Sequence, residues 1–78
     1  MPSVGQIGQF RFFFYRNEGD EPPHIHVQQD RKMAKFWLNP AGLAASGRFS
    51  ASELRSIERI VVENRERFLE VWYEFFGR

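Results

Sequence analysis

A chain of 78 residues with no cysteine and a net charge of +1 is one domain, held without disulfides or thiolate-bound metal. Its isoelectric point near 8.2 falls short of the value above about 9 that marks a dedicated nucleic-acid binder, so any basic patch is local. A domain this small buries only about 60% of its unfolded surface, and nine Phe, two Trp and two Tyr supply the dense core it needs.

The start, MPSVGQIGQF, has neither a basic n-region nor an apolar h-region, and the longest apolar run, residues 12–15, is far too short to span a bilayer. The expectation is a soluble, cytoplasmic protein with no membrane association. Residues 1–8 carry two glycines and little pattern, and read as a lead-in that orders only if paired. Residues 9–15 form the first expected strand, with Phe10, Phe12 and Phe14 on one face and Arg11, Phe13 and Tyr15 on the other.

Residues 16–23 read as a loop, because Asn17, Gly19, Asp20 and the pair Pro22-Pro23 all disfavour regular structure. The prolines push the chain into an extended conformation, so a second strand runs over residues 24–29. Asp30-Arg31 then makes a two-residue turn into a third strand over residues 32–38. That turn pairs Gln29 with Lys32, His26 with Lys35 and His24 with Trp37. It sends Ile25, Val27, Ala34, Phe36 and Leu38 inward, and a slip of one residue would bury a histidine or a lysine.

Asn39-Pro40 ends that strand, and residues 41–49 read as a loop or single turn that packs Leu43 and Phe49. Ser50-Ala51-Ser52-Glu53 is a capping box. From it one helix is expected to run to Phe76 and stop at Gly77, with Leu54, Ile57, Val61, Asn64, Phe68, Val71 and Phe75 forming its stripe. Such a helix approaches 40 Å, longer than the strands, so its end with Trp72 and Phe76 is expected to overhang the sheet and meet a partner or a second copy. The expected core is Phe10, Phe12, Phe14, Ile25, Val27, Phe36, Leu38, Leu54, Ile57, Val61 and Phe68. The fold class is α+β over residues 1–78, a three-stranded antiparallel sheet with one long C-terminal helix on one face.

Chemistry concentrates in residues 19–27, where acids, two prolines and both histidines of the chain fall together. On a strand His24 and His26 share a face, with Cα atoms roughly 6.5 Å apart. One use is acid–base cleavage of RNA, with Lys35 opposite His26 casting His26 as the base and His24 as the acid, and Lys35 or Arg11 steadying the phosphorane. Another is a metal ion shared by the two imidazoles, with a third ligand from Glu18, Asp20 or Glu21. Nothing in the spacing selects that third ligand, so the sequence assigns neither metal nor cofactor. The same face carries Arg11, Phe13, Tyr15, Glu21 and Trp37, a mixture suited to a protein partner or to single-stranded bases, and the modest charge favours protein.

Glu-Pro-Pro-His-Ile-His-Val at 21–27, Ala-Lys-Phe-Trp-Leu-Asn-Pro at 34–40, Glu-Leu-Arg-Ser-Ile-Glu-Arg-Ile-Val from 53 and Trp-Tyr-Glu-Phe-Phe at 72–76 together resemble the short prokaryotic family known as domain of unknown function 4160. The resemblance implies a small module often encoded beside another small protein, in pairs that look like toxin–antitoxin systems; it supplies no catalytic residues. The expected function is therefore toxin–antitoxin-like binding of a protein partner through the His24/His26 face. The alternatives are a metal-independent ribonuclease and a metal- or RNA-binding module.

Overall fold

The structure, a computed structural model, describes residues 3–77. Five strands, β1 (Ser3–Ile7), β2 (Phe10–Phe13), β3 (His24–Gln29), β4 (Lys32–Leu38) and β5 (Ala41–Ala45), precede two helices, α1 (Ala51–Glu63) and α2 (Arg65–Phe76). The strands form one antiparallel meander in the order β1-β2-β3-β4-β5. The α+β class and the antiparallel sheet hold, while the expected three strands become five and the expected single helix becomes two.

The two additional strands come from segments of weak intrinsic pattern. Met1 and Pro2 of the expected lead-in lie outside the described residues. Ser3–Ile7 pairs with β2, from Ile7 opposite Phe10 to Ser3 opposite Phe13. Ala41–Ala45 pairs with β4 in place of the expected loop, setting Leu43 opposite Phe36. Pairing with a neighbour that has an open edge overrides the low strand preference of Gly and Ala. Leu43 sits exposed on that edge and is not packed into the core as expected, whereas Phe49 is buried.

The central hairpin has the expected register at every pair from His24↔Trp37 to Gln29↔Lys32. Asp30 takes the left-handed conformation (φ 54°) that a tight turn needs, and its short polar side chain tolerates this. Ile25, Val27, Ala34, Phe36 and Leu38 are buried under the helices together with Phe12, Phe14, Ile57, Val61, Phe68 and Trp72. Phe10 and Leu54, expected in the core, are only partly buried at its margin.

The capping box forms as expected: Glu53 N–H donates to Ser50 Oγ at 3.1 Å and Ser50 N–H to Glu53 Oε1 at 2.8 Å. The helix then breaks at Asn64 (φ −108°, ψ 11°), which ends α1 and precedes α2. Asn64 donates from both its backbone N–H and its side-chain Nδ2 to the Ile60 carbonyl, each at 2.9 Å. This is the usual way an asparagine competes with regular helix bonding. The next residue, Arg65, bonds Leu38 O at 2.6 Å and Asn39 Oδ1 at 2.7 Å, tying α2 to the end of β4. The break shortens each helix to roughly 20 Å at 1.5 Å per residue, comparable with the strands. No overhang results: Trp72 is 2% exposed and packs on Phe14 and His24 of its own chain. Gly77 closes α2 in the left-handed conformation (φ 75°), as expected.

Among the described residues no helix is long and apolar enough to cross a membrane.

Candidate metal centre

The helices cover one face of the sheet. On the other face, at the end where β3 begins, residues 14–23 connect β2 to β3 and fold over the two histidines. Two turns shape this connection: Glu18 N–H bonds Tyr15 O at 3.4 Å and Glu21 N–H bonds Glu18 O at 3.1 Å. The backbone N–H of Tyr15 in turn donates to Glu18 Oε1 at 2.9 Å. The chain thereby doubles back and presents the Glu18 carboxylate to His24 and His26.

His24 Nδ1 lies 3.0 Å from the carbonyl of Pro22. A carbonyl only accepts, so Nδ1 carries the proton of that bond and a neutral His24 presents a lone pair at Nε2. That Nε2 lies 2.9 Å from Glu18 Oε1, yet it has no hydrogen-bond partner. His26 Nε2 lies 3.0 Å from both carboxylate oxygens of Glu18. The imidazole rings stand perpendicular, with centroids 5.1 Å apart. One nitrogen from each ring and one carboxylate oxygen fall within 4.8 Å of one another.

The setting is nearly dry. The His24 side chain is 0% accessible, that of His26 12% and that of Glu18 14%. Trp72 closes on His24 from the helix side, with ring centroids 4.8 Å apart. Phe13 stacks beneath His26 at 5.4 Å, and the half-exposed Tyr15 meets its edge at 4.9 Å. Burial pushes the Glu18 carboxyl up, but the Tyr15 N–H bond and the contacts to His24 and His26 outweigh it and hold Glu18 below the usual carboxylate range. Glu18 is therefore an anion at neutral pH, facing two imidazole nitrogens in a place of low polarity.

The other expected site residues gather around this centre or stand off from it. Lys35 is the cross-strand neighbour of His26, but its Nζ goes to Glu21 Oε1 at 2.5 Å and sits 4.6 Å above the Trp37 ring. The charge facing His26 is thus that of Glu18, which removes the reason for casting His26 as base and His24 as acid. Glu21 also comes within 3.9 Å of His24 Nδ1, and Trp37 meets the His24 edge at 5.9 Å. Arg11 turns away to Gln28 Oε1 at 2.6 Å and lies over Phe13. Phe13, expected exposed, is 1% exposed because Arg11, Tyr15 and His26 cover its ring.

Of the three acids named for the third position, the folded chain selects Glu18. Its spacing of six residues from His24 carries no sequence signal; the double turn brings it there. Two imidazoles with one carboxylate suit a first-row divalent ion such as zinc, cobalt or nickel, and suit magnesium or calcium poorly, since those prefer all-oxygen sites. Ligand atoms about 3.3 Å apart fit tetrahedral zinc with bonds near 2.0–2.1 Å. The Glu18 contacts of 2.9 and 3.0 Å reach that by opening a few tenths of an ångström, and the two imidazole nitrogens, which with the carboxylate oxygen lie within 4.8 Å of one another, have to settle at the same spacing. Pro22 O on His24 Nδ1 is the outer-shell bond that metal-ligating histidines usually make.

No curated protein and no solved structure matches this chain. The family model of a domain of unknown function (DUF4160) matches residues 10–73, a span from β2 to the last turn of α2 that includes Glu18, His24 and His26; the chain belongs to the DUF4160 family.

Proposed function

We propose that the protein is a metal-binding module in which Glu18, His24 and His26 hold one divalent transition-metal ion and leave a coordination position for water, a substrate atom or a partner's side chain. The observation that carries this is the buried Nε2 of His24. Its ring is fixed by Pro22 O, it has no hydrogen-bond partner, and it faces a carboxylate that is itself an acceptor. Such a pair in a dry site is stabilised by a cation shared between its members, and a second imidazole nitrogen converges on the same point, a set of donors that fits a metal ion in place of a proton. Three protein ligands with an open position is the arrangement of zinc sites that bind or activate a further ligand. The test is the melting temperature of metal-stripped protein on adding zinc or magnesium. Zinc raises it and magnesium does not; the same response to both, or to neither, contradicts the proposal.

Partner binding in a two-protein, toxin–antitoxin-like module is a second reading. It is supported by the sheet's uncovered face, where the exposed Tyr15 and the half-buried Trp37 flank the centre. Co-purification with the product of a neighbouring gene, lost in Tyr15→Ala/Trp37→Ala, is its expected outcome. Cleavage of RNA by the bare histidines has less support, because His24 has no accessible surface and Lys35 is engaged by Glu21.

A further inference from the structure

Helix α2 supplies none of the three ligands, yet its last turns stand behind two of them. Trp72 lies against the His24 ring. One turn later, Phe76 packs at a tilt on Trp72 with centroids 4.3 Å apart and approaches Gly19, the residue next to Glu18. A Cβ built on Gly19 would sit 2.7 Å from Phe76 Cδ1, 3.2 Å from Cε1 and 3.3 Å from Cγ. The Gly19 backbone is not in the left-handed region, so glycine is required there for space and not for conformation. Beyond Gly19 the connection stands away from the helix, leaving an open groove of about 330 Å³ between residues 20–23 and Trp72 and Tyr73. Beside the ring contacts of Phe14 at its start, Gly19 on Phe76 is thus a close contact of this connection with α2.

We infer that Phe76, through Gly19, is a positioning residue for the metal centre: its ring sets how closely Glu18 approaches the two imidazoles, while Trp72 holds the ring of His24. This rests on the metal reading above and adds that the C-terminal helix sets the affinity of the site. A side chain at position 19 lifts Glu18 away from the histidines, because the ring it meets is braced by Trp72 and Phe14. Positions that orient ligands without touching the ion typically change affinity 10–100-fold.

The experiment is a competition titration of zinc against a chromophoric chelator, with the visible spectrum of the cobalt-loaded protein as a second readout. It compares wild type, Gly19→Ala, Phe76→Ala, the double variant and Phe76→Tyr. Gly19→Ala is expected to bind zinc about 10–100-fold more weakly with an altered cobalt spectrum. Phe76→Ala is expected to weaken binding by itself, and with the ring gone the alanine at 19 costs no further affinity. Phe76→Tyr, which keeps the ring, binds like wild type. A merely structural role would lower the melting temperature of the metal-free variants and leave zinc affinity and the cobalt spectrum unchanged, which would overturn the inference. So would equal losses from Gly19→Ala with and without the Phe76 ring. Should Gly19→Ala not fold, Phe76→Ala against Phe76→Tyr decides alone: equal affinity in the two overturns it. A wild type that takes up no zinc removes the metal reading itself, whereas a wild type that binds beside an unaffected Phe76→Ala removes only the role of α2.

Discussion

Pro22 acts on His24 in two ways, one visible in the sequence and one not. Its ring extends the chain into β3, and its carbonyl bonds Nδ1 of His24 at 3.0 Å, which orients the imidazole and turns Nε2 toward Glu18. The co-facial placement of His24 and His26 follows from strand alternation and was legible. The choice of Glu18 over Asp20 and Glu21 was not, since it depends on two consecutive turns and a bond from Tyr15 N–H. Lys35 shows the limit of register reasoning: its backbone pairs with His26 as expected, but a long flexible side chain goes to the nearest carboxylate, that of Glu21. Lys35→Gln is therefore expected to leave zinc affinity within a few-fold of wild type, measured by chelator competition, since the Lys35 ammonium goes to Glu21 and Trp37 and not to Glu18, His24 or His26. A loss as large as that of a ligand variant would place Lys35 inside the centre.

At the scale of elements, the central hairpin and the start of α1 could be read directly because local chemistry and burial agree there. Ser50→Ala removes one half of the capping box and is expected to cost about 1 kcal/mol in urea denaturation. Glu53, the other half, is held below the ordinary glutamate value of 4.5 by the Lys32 side chain and by Ser50 N–H. A carboxyl lowered by folding contributes stability above its unfolded value and loses it as pH falls through its folded value. Below about pH 4.5 the wild type should therefore lose more stability than Glu53→Gln, with denaturant midpoints followed from about pH 6 to pH 3 as the check. Matching curves would show that the pairing contributes nothing. The helix break was written in the stripe itself: Asn64 occupies an apolar-face position where its side chain instead bonds Ile60 O. Strands β1 and β5 were not legible, because Ser-Val-Gly-Gln-Ile and Ala-Gly-Leu-Ala-Ala become strands only when a neighbouring edge pairs with them.

For the molecule as a whole, a small fold places two of the proposed ligands on the strand of a fixed hairpin and the third on the connection that leads into it. The core beneath that hairpin is shared, with Phe12 fully buried against Phe68 of α2 and opposite Val27 of β3. Phe12→Ala should cost about 3–5 kcal/mol of unfolding free energy in urea, and a variant as stable as the parent would overturn the packing described. On the proposed metal reading, bound ion adds to this stability by mass action, about 2.7 kcal/mol when free ion is 100 times the dissociation constant. The most direct measurement is a cobalt titration of metal-stripped protein, followed by visible absorption, in wild type, Glu18→Gln, His24→Gln and His26→Gln. One ion per chain with a tetrahedral spectrum in wild type, and loss of that spectrum in each of the three variants, is the result expected. Absence of uptake by wild type, or an unchanged spectrum in any of the three variants, would contradict a centre built from these residues.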